Sequence, residues 1–190
     1  CGVCSHVCPA GAVRLLPDVA GKKELYTGAR VFSTATLKMG RGNSGKLVTE
    51  VKKAMLKAAP PCELAIVDGS PGIGCPVIAS VNGMDLVLVV AEPSGSGISD
   101  LKCLCATAAT LQVQLAVCVN KYDVSPQHTE CIETFCRQQG IAFVGKIPFD
   151  PMAVRAVNER TTVVDIDCPA GRAVREIFAK LTALLAERSI

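Results

Sequence analysis

The chain has little net charge of either sign. Its 190 residues carry 20 Lys and Arg against 17 Asp and Glu, a formal charge of +3. No basic run occurs, so the electrostatic footprint of a nucleic-acid binder is absent. Long hydrophobic runs are also missing. No apolar stretch approaches the roughly 20 residues that a membrane helix needs. No internal repeat is evident, which argues against a repeat array. The first residue is Cys1 rather than methionine, so the lack of a signal peptide carries no meaning. We read the chain as a fragment of a longer protein.

What is present points to a folded globular protein. Apolar residues make up 49% of the chain, while 16 Gly and 11 Pro are ordinary numbers. That length suits one domain with a sizeable core plus a small appendage. Eleven cysteines are many. A secreted disulfide scaffold would be short and loop-rich, whereas these cysteines lie among long strand and helix patterns. Cys103, Cys105, Cys118, Cys131 and Cys136 lack metal-ligand spacing and read as small buried hydrophobes. A reducing, oxygen-poor cytoplasm fits this usage.

Strand-like runs recur at Arg30–Leu37, Leu64–Val67, Leu86–Ala91, Leu115–Val119 and Ala142–Ile147. The later ones are continuous and rich in Val, Ile and Leu, as in a parallel sheet covered on both faces. Helical spacing lies between them. Leu47, Val48, Val51, Ala54, Met55 and Ala58 form one apolar stripe. Ser99–Leu111 and His128–Gln139 give two more helices. A last one runs over 170–187, with Val174, Ile177, Phe178, Leu181, Leu184 and Leu185 on one face. Pro148 and Pro151 read as punctuation of a loop. The alternation predicts an α/β fold with a parallel sheet, over 29–190. Residues 1–28 do not fit that rhythm and read as the tail of a small cluster-binding domain with a linker.

Two motifs stand out. The chain opens with Cys1-Gly2-Val3-Cys4-Ser5-His6-Val7-Cys8-Pro9, most of the bacterial C-x2-C-x2-C-x3-C-P run that binds iron–sulfur clusters. Cys1, Cys4 and Cys8 are the candidate ligands of a 4Fe–4S cluster; free thiols or a zinc site are the alternatives. His6 reads as solvated. The second motif is Leu64-Ala-Ile-Val-Asp-Gly-Ser-Pro-Gly-Ile-Gly74, an apolar strand ending in an aspartate and a glycine-rich turn. Ligands gather at the carboxyl ends of strands in parallel sheets. There Asp68 can hold a magnesium-bound water and Gly72 can offer an amide to a terminal phosphate. A turn or helix-capping aspartate is the plainer reading.

Asn120-Lys121-Tyr122-Asp123 follows a strand, as a base-recognition motif does. The asparagine amide can bridge base and phosphate loop, and the aspartate can pair with the two donors of guanine. A simple turn is the alternative. Gly40-Arg-Gly-Asn-Ser-Gly45-Lys46-Leu47 satisfies G-x-x-x-x-G-K, but Leu47 stands where the magnesium-binding hydroxyl is needed. It reads as a glycine-rich helix start that can still approach an anion.

These segments together resemble the MinD/ParA superfamily of deviant Walker ATPases, in the branch with a ferredoxin domain inserted in the ATPase. The match rests on Cys1–Pro9, Gly42–Thr49, Asp68–Ser80, Leu86–Pro93, Val119–Asp123 and Ile147–Pro151. The resemblance implies a P-loop NTPase domain at 29–190 whose first strand and phosphate loop lie upstream of the insertion, outside this chain. It implies that Asp68 is the switch aspartate near magnesium and Gly72 the switch glycine. Glu92 and Pro93 match the strand-end segment, while Asn120 and Pro148 look like adenine contacts. Cys75 has a spacing from Asp68 similar to that of a cluster ligand in the related nitrogenase iron protein. With no second suitable cysteine, it reads as structural.

The function implied is an iron–sulfur ATPase using ATP and magnesium, coupling nucleotide state to electron transfer or metallocluster handling. An ATP-dependent homodimer and a redox or metallocluster partner come with it. A GTP-binding switch protein is one alternative, on Asp123. A non-hydrolysing iron–sulfur carrier is another. This chain alone is expected to be catalytically silent.

Overall fold

A computed structural model describes residues 2–42 and 44–187. The chain divides into two compact units, Cys1–Val67 and Asp68–Ile190.

The first unit holds a short helix, α1 (Val3–Val7), an antiparallel hairpin of β1 (Gly21–Tyr26) and β2 (Phe32–Leu37), and α2 (Ser44–Ala58). The hairpin register runs from Gly21 opposite Leu37 to Tyr26 opposite Phe32, whose rings stack 6.0 Å apart. Helix α2 lies against β2, and the Ser33 hydroxyl donates to the Val51 carbonyl at 2.9 Å. Strand β1 runs against the sequence pattern. Its Lys22, Lys23 and Glu24 lack apolar alternation, so pairing with β2, not burial, makes it a strand. The expected boundary at residue 28 therefore falls in the turn of this hairpin.

The second unit is a three-layer sandwich. Its sheet has the order β3 (Leu86–Ala91), β4 (Gln114–Asn120), β5 (Ala142–Ile147), all parallel. Around it lie α3 (Cys75–Val81), α4 (Gly95–Leu111), α5 (Pro126–Gln139), α6 (Pro151–Asn158) and α7 (Pro169–Ala186). Strand β4 is central and nearly fully buried, and its alternate side chains feed two cores. Val117 and Val119 meet Leu101 of α4 with Ile132 and Cys136 of α5 on one face. Ala116 and Cys118 meet Val144 and Ile177 on the other, joined by Leu181 and Leu184 of α7. The β4–β5 ladder slips by a residue after Val117, so that Cys118 faces Gly145. Gly145 is needed there, since a Cβ would stand 2.8 Å from Ile177 Cγ1.

The helix starts follow capping chemistry. Ser94 accepts from the Gly97 amide at 3.0 Å and begins α4 four residues before the expected Ser99. Helix α6 lies where Pro148 and Pro151 suggest a loop. Pro151 instead sits in its first turn, where a missing N–H costs nothing, behind the cap Asp150. Asp150 uses both oxygens, accepting from Met152 at 2.9 Å and from Ala170, in the first turn of α7, at 3.1 Å. Its carboxyl is held below the usual range, chiefly by the Met152 amide and then by that of Ala170.

Several expectations need correction. Leu64–Val67 is not a strand: it has no ladder partner among the described residues, and Ile66 is 74% exposed. An apolar run becomes a strand only when a neighbour supplies its hydrogen bonds. Strand β3 is paired along β4 alone among the described residues, so it is an edge and not covered throughout, with Val90 55% exposed. Phe178 leaves the apolar stripe of α7 and is half exposed. Cys118 and Cys136 are buried, and Cys105 is partly so, but Cys103 and Cys131 are exposed. Both lie one turn-fraction off the buried faces marked by Leu101 and Ala108 in α4 and by Ile132 and Cys136 in α5. No described helix is long and apolar enough to cross a membrane.

Candidate functional site

The carboxyl ends of the three parallel strands converge on one edge of the second unit. Glu92 follows β3, Asn120 ends β4, and Pro148 follows β5. Ladder pairing of Ala91 with Val119 and of Asn120 with Ile147 sets these positions side by side. Pro93 is buried, Asn120 and Pro148 are half-buried, and Glu92 and Asp123 are exposed. The Asn120 side chain has no hydrogen-bond partner among the described residues, so its amide is available to a ligand.

The turn after β4 is fastened on both sides. Lys121 takes a left-handed φ of 54° and its Nζ reaches Glu92 Oε1 at 2.7 Å. That pair is about half exposed, so it orients the two side chains more than it stabilises the fold. The Tyr122 amide donates to the Ile147 carbonyl at 3.2 Å. The buried Thr129 hydroxyl lies 2.8 Å from the Tyr122 carbonyl, and Lys146 Nζ stands 5.6 Å from the Tyr122 ring centre. Asp123 Oδ1 accepts from the Phe149 amide at 2.8 Å. Gly97 matters here too: a Cβ on it would collide with the Glu92 carbonyl. Motif and topology point to Glu92, Asn120, Asp123 and Pro148. They do not point to Lys121 as the partner of Glu92, Thr129 as the anchor of the turn, or Phe149 as the donor to Asp123. An apolar Phe149 gives no sign of a backbone role, whereas Lys121 lies in view within the motif.

Asp68 and Gly72 lie on an exposed turn ahead of α3, Gly72 with a left-handed φ of 88°. No hydrogen bond or ion pair joins Asp68 to the strand-end cluster among the described residues. Its open carboxylate fits a role in holding a magnesium-bound water. Cys75 is the exposed first residue of α3. Lys46 is exposed in the first turn of α2, and Asn43 lies outside the described residues.

Cys4 sits in α1 and Cys8 caps its end; Cys1 lies outside the described residues. Backbone amides, Ala12 first and then Ala10, Val13 and Gly11, hold the Cys8 thiol below its ordinary range. Amides that lower a thiol's proton affinity in this way are compatible with a soft metal ligand. No group of three metal-ligating side chains occurs among the described residues. A surface cavity of about 500 Å³ between α4 and α5 is lined by Ile98, Lys102, Cys131 and Phe135 among others, and by none of the expected site residues.

The parallel sheet and its covering helices fit an α/β fold of the P-loop NTPase type. A solved structure supports this at the level of fold, the MinD cell division protein of Aquifex aeolicus. It superposes with a TM-score of 0.59 and 20% identity, over 73% of this chain and 61% of that one. No protein-family profile matches. Curated relatives come from Methanocaldococcus jannaschii. The uncharacterized protein MJ0578 is 27% identical over 145 residues, 76% of this chain and 48% of its own length. The uncharacterized protein MJ0579 is 31% identical over 121 residues, 56% and 44%. The uncharacterized ATP-binding protein MJ0547 is 33% identical over 126 residues, 63% and 46%. The chain thus spans about half the length of these relatives.

Proposed function

We propose that this chain belongs to an iron–sulfur ATPase in which nucleotide state is coupled to electron transfer or metallocluster handling. The observation that carries the nucleotide part is the convergence of Glu92, Asn120 and Pro148 at the carboxyl edge of the parallel sheet, where such folds bind ligands. The similarity to an ATP-binding protein supports ATP as the nucleotide. In this reading Asn120 and Pro148 border the base, Pro93 shapes the wall beneath, and Glu92 with Lys121 orients the rim. Asp68 would hold magnesium through a water, and the Gly72 amide would meet the terminal phosphate. Bound magnesium would neutralise charge developing on the transferred phosphoryl group.

The motif Cys1, Cys4 and Cys8, with amides around the Cys8 sulfur, supports a 4Fe–4S site that would supply one-electron chemistry. We assign the cluster-binding part and its linker to 1–28 and the nucleotide-binding part to 29–190, with the β1–β2 hairpin spanning that boundary. Asp68 and the exposed turn around it form the switch, and two copies close on ATP. Free thiols in this number support a reducing cytoplasmic setting.

The decisive measurement is phosphate release by the complete protein, prepared without oxygen, beside its Asp68→Asn variant. ATP turnover that falls by about 100-fold or more in the variant is expected, since Asp68 places the charge that phosphoryl transfer requires. Turnover indifferent to Asp68 would remove the assignment. Iron and sulfide analysis of the same preparation tests the cluster, and an iron-free protein would discard it. Light scattering with Asp68→Asn and saturating ATP should show a dimer.

A further inference from the structure

Resting on the nucleotide reading above, the donors and acceptors of the strand-end loops say which base they suit. Ile147 already gives its carbonyl to the Tyr122 amide. Pro148 has no N–H. The next amide, Phe149, is spent on Asp123 Oδ1 at 2.8 Å. The loop after β5 therefore offers a base carbonyl oxygen and no free amide across 148–149. Adenine presents an amino donor at its sixth position and guanine presents an oxygen acceptor there. Across 148–149 the free groups are acceptors, which pair with the first and leave the second unmatched, while Asn120, carrying both donor and acceptor, suits either base.

Asp123 decides this inventory. In a guanine site its carboxylate would face the ring N1–H and the exocyclic amino group of the base. Here one oxygen ties the β5–α6 loop to the β4–α5 turn. The same turn is pinned by Thr129 behind it and by Lys121 to Glu92. We infer that Asp123 is a positioning residue that makes this site adenine-selective by occupying the Phe149 amide, rather than a reader of guanine. The Asn120-Lys121-Tyr122-Asp123 motif then has the form of a guanine motif and the opposite preference.

The test is calorimetric titration of the complete protein with ATP, GTP and ribose 5′-triphosphate, in wild type, Asp123→Asn and Asp123→Ala. Asparagine keeps an oxygen that accepts from Phe149, so Asp123→Asn should retain the ATP preference. Asp123→Ala frees the Phe149 amide and loosens the loop. ATP affinity should fall about tenfold, the size of one lost hydrogen bond to a charged group, and the ATP-to-GTP ratio should move toward one. Affinity for ribose 5′-triphosphate, which has no base, should be unchanged in all three. Equal losses for ATP and ribose 5′-triphosphate would mean a general structural role and overturn the inference. So would a wild-type preference for GTP that Asp123→Asn abolishes, or an unchanged ratio in folded Asp123→Ala. If Asp123→Ala does not fold, Asp123→Asn decides alone. A wild type that binds neither triphosphate would overturn the nucleotide reading itself, which separates the two failures.

Discussion

The two units of this chain are built by different means. Asp68–Ile190 encloses side chains that solvent does not reach, among them Leu101, Val117, Val119 and Ile132. In Cys1–Val67 no described residue is buried. Its hairpin and α2 are held by ladder hydrogen bonds and by one side of a helix. Backbone hydrogen bonds alone give little net stability, because the unfolded chain bonds to water equally well. The second unit is thus the stable body, and the first unit is a region of low local stability.

Substitutions should expose this asymmetry most strongly. Ile132→Ala empties a site between α5 and the sheet and should cost about 2–5 kcal/mol in denaturant unfolding. Val51→Ala in α2 should cost about 1 kcal/mol or less. Equal effects would show that the first unit has a core of its own.

Alkaline pH should act on the second unit next. Burial pushes the Cys118 thiol from 9.0 up to about 11, and Cys136 likewise to about 11. A raised folded value means that the stabilisation is complete below pH 9 and is lost as pH climbs toward 11, because the unfolded thiols ionise first. Melting temperature should fall between about pH 9 and pH 11, and Cys118→Ala should flatten that fall. A slope unchanged by the substitution would put the titration elsewhere.

The smallest effect belongs to Cys8. Amides of Ala12 and Ala10 favour its thiolate, so in iron-free protein Cys8 should alkylate faster at neutral pH than it does in the unfolded chain. Equal rates, folded and in urea, would mean that those amides do not hold the sulfur in solution.

Much of the second unit is legible in the sequence because its strands are continuous apolar runs. Leu86–Ala91 and Ala142–Ile147 match the expected spans residue for residue. Periodicity also carries α5 and α7, since a buried face imposes its spacing on the sequence, and α2 keeps that spacing with half-buried residues only. It fails where something other than burial makes the element. Strand β1 exists through its partner, α6 through the cap Asp150, and Leu64–Val67 stays unpaired despite an ideal composition. At the site, the strand-end positions Glu92, Asn120 and Pro148 follow from motif and topology. The tie from Asp123 to Phe149 does not, because a backbone donor leaves no trace in residue identity.

The two oxygens of Asp150 have a consequence for how this chain can be rebuilt. By binding the amides of both Met152 and Ala170, one carboxylate closes residues 151–169 into a loop anchored at a single point. Inside that loop the turn at 163–165 is held as well, by Thr162 with Asp165 and by Arg175 on the Val164 carbonyl. Arg160 and Thr161, though exposed, close α6 through amides bonded to the Val157 and Ala156 carbonyls, so extra residues there would first have to give up that cap. Asp150 itself permits still less freedom, since a single change there would release the starts of α6 and α7 together.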